Sequence, residues 1–139
     1  MRVLVDTSIW SLALCRKSPR AGKHLDMLGQ LIREDRAHLI GAVRQELLSG
    51  IGDKRTFEQL STKLEAFPDL PLGAADYVRA ASYFNACRAV GIQGSNTDFL
   101  ICAAAVRHEL AIYTADKDFA QFAGHVPIRL YRPDTGGVQ

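Results

Sequence analysis

Two acidic residues of this chain follow apolar runs that are typical of buried strands. Asp6 comes directly after the run at 3–5, and Asp116 follows the run at 110–114 with one residue between. Open parallel α/β sheets bind ligands in the crevice outside the carboxyl ends of their strands, so both carboxylates could do chemistry there. Both also have a structural interpretation, because Asp commonly caps helices and forms turns. Taken alone, residues 6–8 favour a helix cap.

Two further acids lie on predicted helices. Glu46 is the one large side chain on a helical face that it shares with Ala42, Ser49 and Gly50, and such a face leaves room for a ligand. Its residue type and spacing favour a solvated helix glutamate. Asp98 falls in the first turn of a helix that is apolar on every side over 99–106, where it would complement the helix macrodipole. A carboxylate buried there without a partner would take up a proton.

All four acids can reach one crevice if the strands belong to a doubly wound sheet with right-handed crossovers. Four carboxylates held together repel one another, so at neutral pH the cluster needs shared protons or a cation. Ligands that offer only oxygen favour a hard ion, Mg²⁺ or Mn²⁺. Such an ion can bind a phosphate oxygen, generate a hydroxide nucleophile and stabilise a leaving oxygen. This is the chemistry of phosphodiester cleavage.

The elements that must position these acids alternate along the chain, which indicates an α/β fold with a central, mostly parallel sheet. Strands are predicted at 3–5, 38–40, 110–114 and 127–131, and the proline-rich stretch 67–72 suits a sheet edge. Helices are predicted at 9–14, from Ser18-Pro19 to about residue 35, and at 43–49, 54–66, 74–90, 99–106 and 119–123. Asp118 is a candidate cap for the last of these helices.

Length and composition indicate one globular domain. The chain has 139 residues, 47% apolar and 23% charged, and no run of about 20 apolar residues that could span a membrane. The absence of a charged leader with an apolar stretch predicts a cytoplasmic protein. Cys15, Cys87 and Cys102 are odd in number and lack metal-ligand spacing, which favours reduced thiols. A net charge of +2 is compatible with a nucleic-acid partner and argues weakly for one.

Four motifs, VDTSIW, RQELLSG, GSNTDFLICAAA and TADKDF, together resemble the PIN-domain ribonucleases, and most closely the VapC-type toxins of bacterial type II toxin–antitoxin pairs. Each motif is weak by itself, but their ordered combination is specific and covers nearly the whole chain. The resemblance implies a PIN-domain-like α/β/α sandwich as a single domain at 1–131. It also implies a homodimer that a cognate VapB-like antitoxin silences. The residue types at 132–139 predict a polar, glycine-bearing tail.

The resemblance also implies an activity and a set of site residues. The activity is Mg²⁺- or Mn²⁺-dependent endonucleolytic cleavage of RNA that leaves a 5′-phosphate and a 3′-hydroxyl. Asp6, Glu46, Asp98 and Asp116 match the family's acidic quartet, which holds the metal and orients the attacking water. Asp118 matches a further acidic position, and Thr7, Asn96 and Thr114 match polar positions near the metal.

Positive residues near the cleft should guide RNA by its phosphates. We expect this of Arg16, Lys17, Arg20, Arg44 and Lys117. For any single one of them, ordinary solvated surface charge is at least as good an interpretation.

Other classes of protein place acids at strand ends. A response-regulator receiver needs paired acids near the first strand, whereas Asp6 is followed by Thr7 and Ser8. A haloacid-dehalogenase-type phosphatase needs a second Asp at the position of Ser8. A module that binds Mg²⁺ without catalysis is also compatible with the sequence. It predicts that losing Asp98 alters stability and removes no activity.

Overall fold

A parallel three-stranded sheet forms the centre of the molecule. The structure, a computed structural model, describes residues 1–14, 22–132 and 137–138. Strand β1 (Val3–Val5) lies between β2 (Ala37–His38) and β3 (Ala111–Tyr113), and both neighbours run parallel to it. Val3 pairs with the first residue of each neighbouring strand. Every residue of β1 is fully buried, as expected of a strand whose apolar run is continuous rather than alternating.

Seven helices in the described part of the chain surround this sheet and make an α/β/α sandwich, which confirms the predicted fold class. They are α1 (Thr7–Leu14), α2 (Gly22–Arg33), α3 (Gly41–Leu48), α4 (Lys54–Leu64), α5 (Ala74–Ala89), α6 (Asn96–His108) and α7 (Asp118–Phe122). Each was predicted, with ends that differ by a few residues. The predicted cap at Ser18-Pro19 and the thiol of Cys15 lie outside the described residues. Within the described ranges, no helix combines the length and apolar character needed to cross a membrane.

Helix α6 is the buried helix of the fold. Its first turn is closed by Ser95, whose side chain accepts a hydrogen bond from the Asp98 N–H while the Asp98 carboxylate accepts one from the Ser95 N–H. This reciprocal capping box is what the sequence Ser-x-x-Asp predicts. Residues from Phe99 onward then pack into the core, and Phe99 meets Phe84 of α5 edge to face at 5.6 Å. Asp98 is thereby carried on a rigid, buried element.

The sheet edges depart in part from the predicted strands. At one edge, Asp69 forms a parallel bridge with Leu39, which confirms an edge position for the proline-rich stretch. At the other edge, the predicted bounds of the strand at 127–131 were wrong, because Leu130 is the one residue of this stretch that forms a bridge to β3. Pro127 lacks the N–H that a longer ladder needs. The regular strand there is β4 (Tyr131–Arg132), and it pairs antiparallel with β5 (Gly137–Val138) inside the stretch expected to be a polar tail.

Candidate active site

A cleft of about 400 Å³ lies where β1 and β3 end, and the four predicted acids line it. Asp6 lies between β1 and α1, Glu46 on α3, Asp98 in the first turn of α6, and Asp116 between β3 and α7. These residues are as much as 110 positions apart in the chain. The parallel strand order brings them together, because each crossover returns the chain to the same edge of the sheet.

Asp6 is the most buried of the four acids, with 4% of its surface exposed. Its Oδ1 accepts a hydrogen bond of 2.7 Å from the Thr7 N–H. Its Oδ2 accepts two, from the hydroxyls of Ser8 at 2.8 Å and of Thr114 at 2.7 Å. The Asp6 carbonyl also accepts a hydrogen bond from the Trp10 N–H, as the carbonyl of a helix-capping residue does. The Asp6 carboxylate, however, contacts both the first turn of α1 and Thr114 after β3. Asp6 therefore joins the ends of β1 and β3.

Asp116 lies in the short loop that follows β3. Its N–H donates to Thr114 Oγ1 at 2.9 Å, and its Oδ1 accepts the N–H of Asp118 at 2.9 Å. The prediction that Asp118 caps the next helix was wrong, because α7 begins at Asp118 itself and the acceptor is Asp116. Asp118 is exposed and does not belong to the lining of the cleft.

Asp98 has a raised pKa in the cleft. Burial raises the pKa of Asp98, and the nearby Asp6 and Asp116 carboxylates raise it further, although the two hydrogen bonds with Ser95 act in the opposite direction. Burial, with the Asp98 charge, also raises the pKa of Cys102, one turn further along α6. Cys102 is accordingly a buried thiol at neutral pH. Burial is thus the main reason that the charged form of Asp98 is disfavoured, and the neighbouring carboxylates add to it.

The three polar residues predicted to lie near the metal do not all lie in the cleft. Thr7 lines the cleft, and its buried Oγ1 has no hydrogen-bond partner among the described residues. Thr114 holds Asp6 and Asp116 together from the side of β3. Asn96 is exposed and lies against a separate cavity of about 280 Å³, beside Tyr77 and Leu100. The structure therefore brings Thr7 and Thr114 to the acids and leaves Asn96 outside the lining.

The basic residues predicted to guide RNA also have different surroundings. Arg44 is engaged within the scaffold, because its guanidinium donates to Asp69 Oδ1 at 2.9 Å, to the Leu64 carbonyl at 2.9 Å and to the Phe67 carbonyl. Lys117 is exposed and lines a small cavity of about 170 Å³ beside Asp116. Arg16, Lys17 and Arg20 lie outside the described residues. Of the five residues predicted to guide RNA, Lys117 is the one that the structure places at an exposed position beside Asp116.

The donor set of the cleft fits a hard divalent cation by its chemistry and its position. The four carboxylates and the unpartnered Thr7 hydroxyl offer oxygen alone, which Mg²⁺ and Mn²⁺ prefer. A cation would also stabilise the charged form of Asp98, which burial and the Asp6 and Asp116 charges disfavour. Among the described side chains, no three acids, cysteines or histidines are gathered into a finished set of metal ligands. The acids share a cleft without forming a closed coordination shell.

Sequence reasoning missed Ser8 as a residue of this site. The sequence placed it within the candidate helix cap at residues 6–8 and indicated no role for it beside the acids. The Ser8 hydroxyl contacts Asp6, Thr114 and the Ala115 N–H. Only its position two residues after a strand-end Asp could have singled it out.

Comparison with known proteins decides the family. A family model described as PIN domain matches residues 3–125, which is most of the chain. This chain belongs to the PIN domain family. None of the curated proteins matches it.

Solved structures share the fold at low sequence identity. The structure of FitAcB from Neisseria gonorrhoeae superposes with a TM-score of 0.72 at 23% identity, covering 94% of this chain and 97% of that one. VapBC2 from Rickettsia felis, bound to a DNA fragment from their promoter, gives a TM-score of 0.73 at 16% identity over 95% and 100% of the two chains. FitAB bound to an IR36 DNA fragment gives a TM-score of 0.71 at 20% identity, covering 94% of each. The PIN fold thus extends over nearly the whole chain.

Proposed function

We propose that this PIN domain is a metal-dependent endoribonuclease and acts as the toxin of a toxin–antitoxin pair. The observation that carries the proposal is the cleft at the strand ends, which Asp6, Glu46, Asp98 and Asp116 line from four separate parts of the chain. PIN domains are in general nucleases, and an oxygen-only donor set suits the cation that phosphodiester hydrolysis uses.

The four acids would hold Mg²⁺, or Mn²⁺ in its place, with Thr7 beside them. When bound, the cation supplies charge stabilisation at the phosphate and lowers the pKa of a bound water. Asp6 is held in one orientation by three hydrogen bonds, so it would serve as the fixed ligand of the set. Asp118 is omitted because it does not line the cleft.

The RNA substrate would approach this cleft from the side of Lys117. Lys117 is exposed beside Asp116, and it would contact a phosphate next to the scissile one. Arg44 is omitted from this set because its guanidinium already donates to Asp69 and to two backbone carbonyls.

The proposed partners are a second copy of the chain and a cognate VapB-like antitoxin. They are supported by the motif resemblance to VapC-type toxins and by the fold shared with VapBC2 and FitAB over nearly the full chain. An antitoxin that silences the enzyme would have to cover or neutralise the acidic cleft, since this is where the substrate reacts.

The experiment that tests the proposal is cleavage of total cellular RNA by purified protein free of antitoxin. The reactions contain Mg²⁺, Mn²⁺ or chelator, and parallel reactions use Asp98→Asn. We expect discrete fragments with 5′-phosphates that disappear with chelator and with the variant. Sequencing their 5′ ends would identify the target. Intact RNA in every lane, with a folded protein that binds the ion, would overturn the ribonuclease and favour a binding role or a phosphatase.

A further inference from the structure

The Ser8 hydroxyl is a junction between two parts of the cleft. It lies in the first turn of α1, and Ser8 Oγ is 2.8 Å from Asp6 Oδ2, 3.0 Å from the Ala115 nitrogen and 3.3 Å from Thr114 Oγ1. Ala115 and Thr114 are more than 100 positions away along the chain. One hydroxyl therefore joins the residues after β1 to the loop after β3.

The directions of these hydrogen bonds follow from counting protons. A backbone N–H can only donate, so Ser8 Oγ accepts from Ala115 and its single proton is directed to Asp6. The same reasoning applies to Thr114, which accepts the Asp116 N–H and donates to Asp6. Two hydroxyls thus hold the same carboxylate oxygen, and each also binds one N–H of the loop that carries Asp116.

Counting lone pairs identifies the oxygen that Asp6 has left to offer. Oδ2 accepts from both Ser8 and Thr114, whereas Oδ1 accepts only from the Thr7 N–H. A carboxylate oxygen has about two acceptor sites, so the free acceptor site of Asp6 is on Oδ1. The two hydroxyls therefore determine how this carboxylate is turned.

We propose that Ser8 is a positioning residue for the cation site. It fixes Asp6 so that Oδ1 is the ligand atom, and it holds the backbone of the loop that carries Asp116. The inference rests on the proposed function, since it concerns the cation that the four acids would hold. Partners of metal ligands act in this way in general, and removing one weakens metal affinity about 10- to 100-fold.

A purely structural role for Ser8 predicts a different result. Ser8 and Asp6 both line the open cleft and Ala115 is exposed, so water in the cleft can replace the lost hydrogen bonds in Ser8→Ala at little cost in stability. Water does not hold a carboxylate in one orientation. Cation affinity should therefore fall much more than the melting temperature, whereas a structural role would lower the melting temperature and leave affinity unchanged.

The test compares Ser8→Ala, Ser8→Thr and the matched control Ser82→Ala, which changes an exposed serine on α5. Calorimetric titration with Mn²⁺ gives the Kd, and thermal unfolding without metal gives the stability. We expect Ser8→Ala to bind Mn²⁺ about 10-fold more weakly, Ser8→Thr to keep an affinity close to that of the wild type, and Ser82→Ala to match the wild type. If Ser8→Ala does not fold, Ser8→Cys replaces it, because a thiol is a weak donor of similar size.

Equal Mn²⁺ affinity in the wild type and Ser8→Ala would overturn the inference, whatever happens to the melting temperature. RNA cleavage by the wild type, measured alongside, separates this failure from that of the proposed function. A wild type that binds Mn²⁺ and loses affinity in Ser8→Ala but cleaves no RNA would support the positioning role and refute the ribonuclease. A wild type that binds no Mn²⁺ would overturn both.

Discussion

Ser95 and Asp98 exchange two hydrogen bonds across the first turn of α6, the Asp98 carboxylate accepting from the Ser95 N–H at 2.9 Å and the Ser95 hydroxyl from the Asp98 N–H at 3.1 Å. The same carboxylate lines the acidic cleft. Asp98 thus closes a helix and faces a proposed cation at the same time. Substitutions there separate the two roles.

Asp98→Asn should stabilise the metal-free protein and abolish metal-dependent cleavage. Burial and the Asp6 and Asp116 charges raise the pKa of Asp98, so the charged form is less favourable in the native protein than in the unfolded chain. Asparagine keeps an oxygen for the Ser95 N–H and removes the charge. We expect the melting temperature in chelator to rise by roughly 2–5 °C. A lower melting temperature in chelator would show that the charge contributes to folding.

Arg44→Lys should lower the free energy of unfolding by about 1–3 kcal/mol. The Arg44 guanidinium donates to two backbone carbonyls and to Asp69, and a lysine ammonium cannot make all of these hydrogen bonds in the same geometry. RNA affinity of the folded protein should not change. Urea denaturation and filter binding measure the two quantities, and Arg55→Lys, at an exposed position on α4, is the matched control. A loss of RNA affinity at full stability would restore Arg44 to the RNA-binding set.

Lys117→Ala should show the opposite pattern. Lys117 is exposed beside Asp116, so its removal should leave the melting temperature unchanged. In the inactive Asp98→Asn background, the Lys117→Ala change should weaken RNA binding. The magnitude of the slope of log affinity against log salt should fall by roughly 0.7, which is the contribution of one phosphate contact on a single strand. An unchanged salt slope would show that Lys117 is solvated surface charge.

Asp76→Asn should destabilise the protein in a pH-dependent way. The Gly73 N–H and Arg107, the latter 2.6 Å away, hold the pKa of the buried Asp76 below its usual value. A carboxylate whose pKa is lower in the folded protein than in the unfolded chain stabilises the fold at any pH above the unfolded-chain pKa, which is about 4 for Asp. This stability is lost as the pH falls through the folded-state pKa.

The wild type should therefore exceed Asp76→Asn by about 1 kcal/mol near pH 7, a modest figure because Arg107 is half-exposed, and the difference should shrink below pH 4. Urea denaturation across this pH range measures the difference. Asp26→Asn, at an exposed position on α2, should follow the wild type throughout. A difference that is independent of pH would mean that the lost interaction is not the charge of Asp76.

Gly94→Ala should destabilise the protein by about 1–3 kcal/mol through overpacking. An added Cβ would lie 2.6 Å from Phe122 Cζ and 2.9 Å from Phe99 Cε2, and both rings are buried. Chemical denaturation measures the loss, and Gly52→Ala, where no atom lies within 4 Å of the added Cβ, is the control. Equal stability of the two variants would show that the aromatic cluster moves aside without cost.

The sequence by itself determined the order of the elements and which acids meet. Continuous apolar runs such as 3–5 and 99–106 can be satisfied only by burial, so they predict the central strand and the core helix without any knowledge of distant contacts. Capping signals are equally local, because Ser95 and Asp98 are only three residues apart in the box that they form. A parallel sheet with right-handed crossovers allowed Asp6, Glu46, Asp98 and Asp116 to reach the same edge, and all four line the cleft there.

Only the tertiary structure decided which partners these residues have. The contacts of Asp6 with Thr114, of Ser8 with Ala115 and of Arg44 with Asp69 join positions 25 to 108 residues apart. Their existence depends on how strands and helices come to lie side by side. For the same reason, the sequence could not show that Arg44 is hydrogen-bonded within the fold while Lys117 is exposed beside Asp116. It also could not place Asn96 outside the cleft. The sequence specifies the type of each side chain, but the long-range packing of the folded protein decides which groups it hydrogen-bonds.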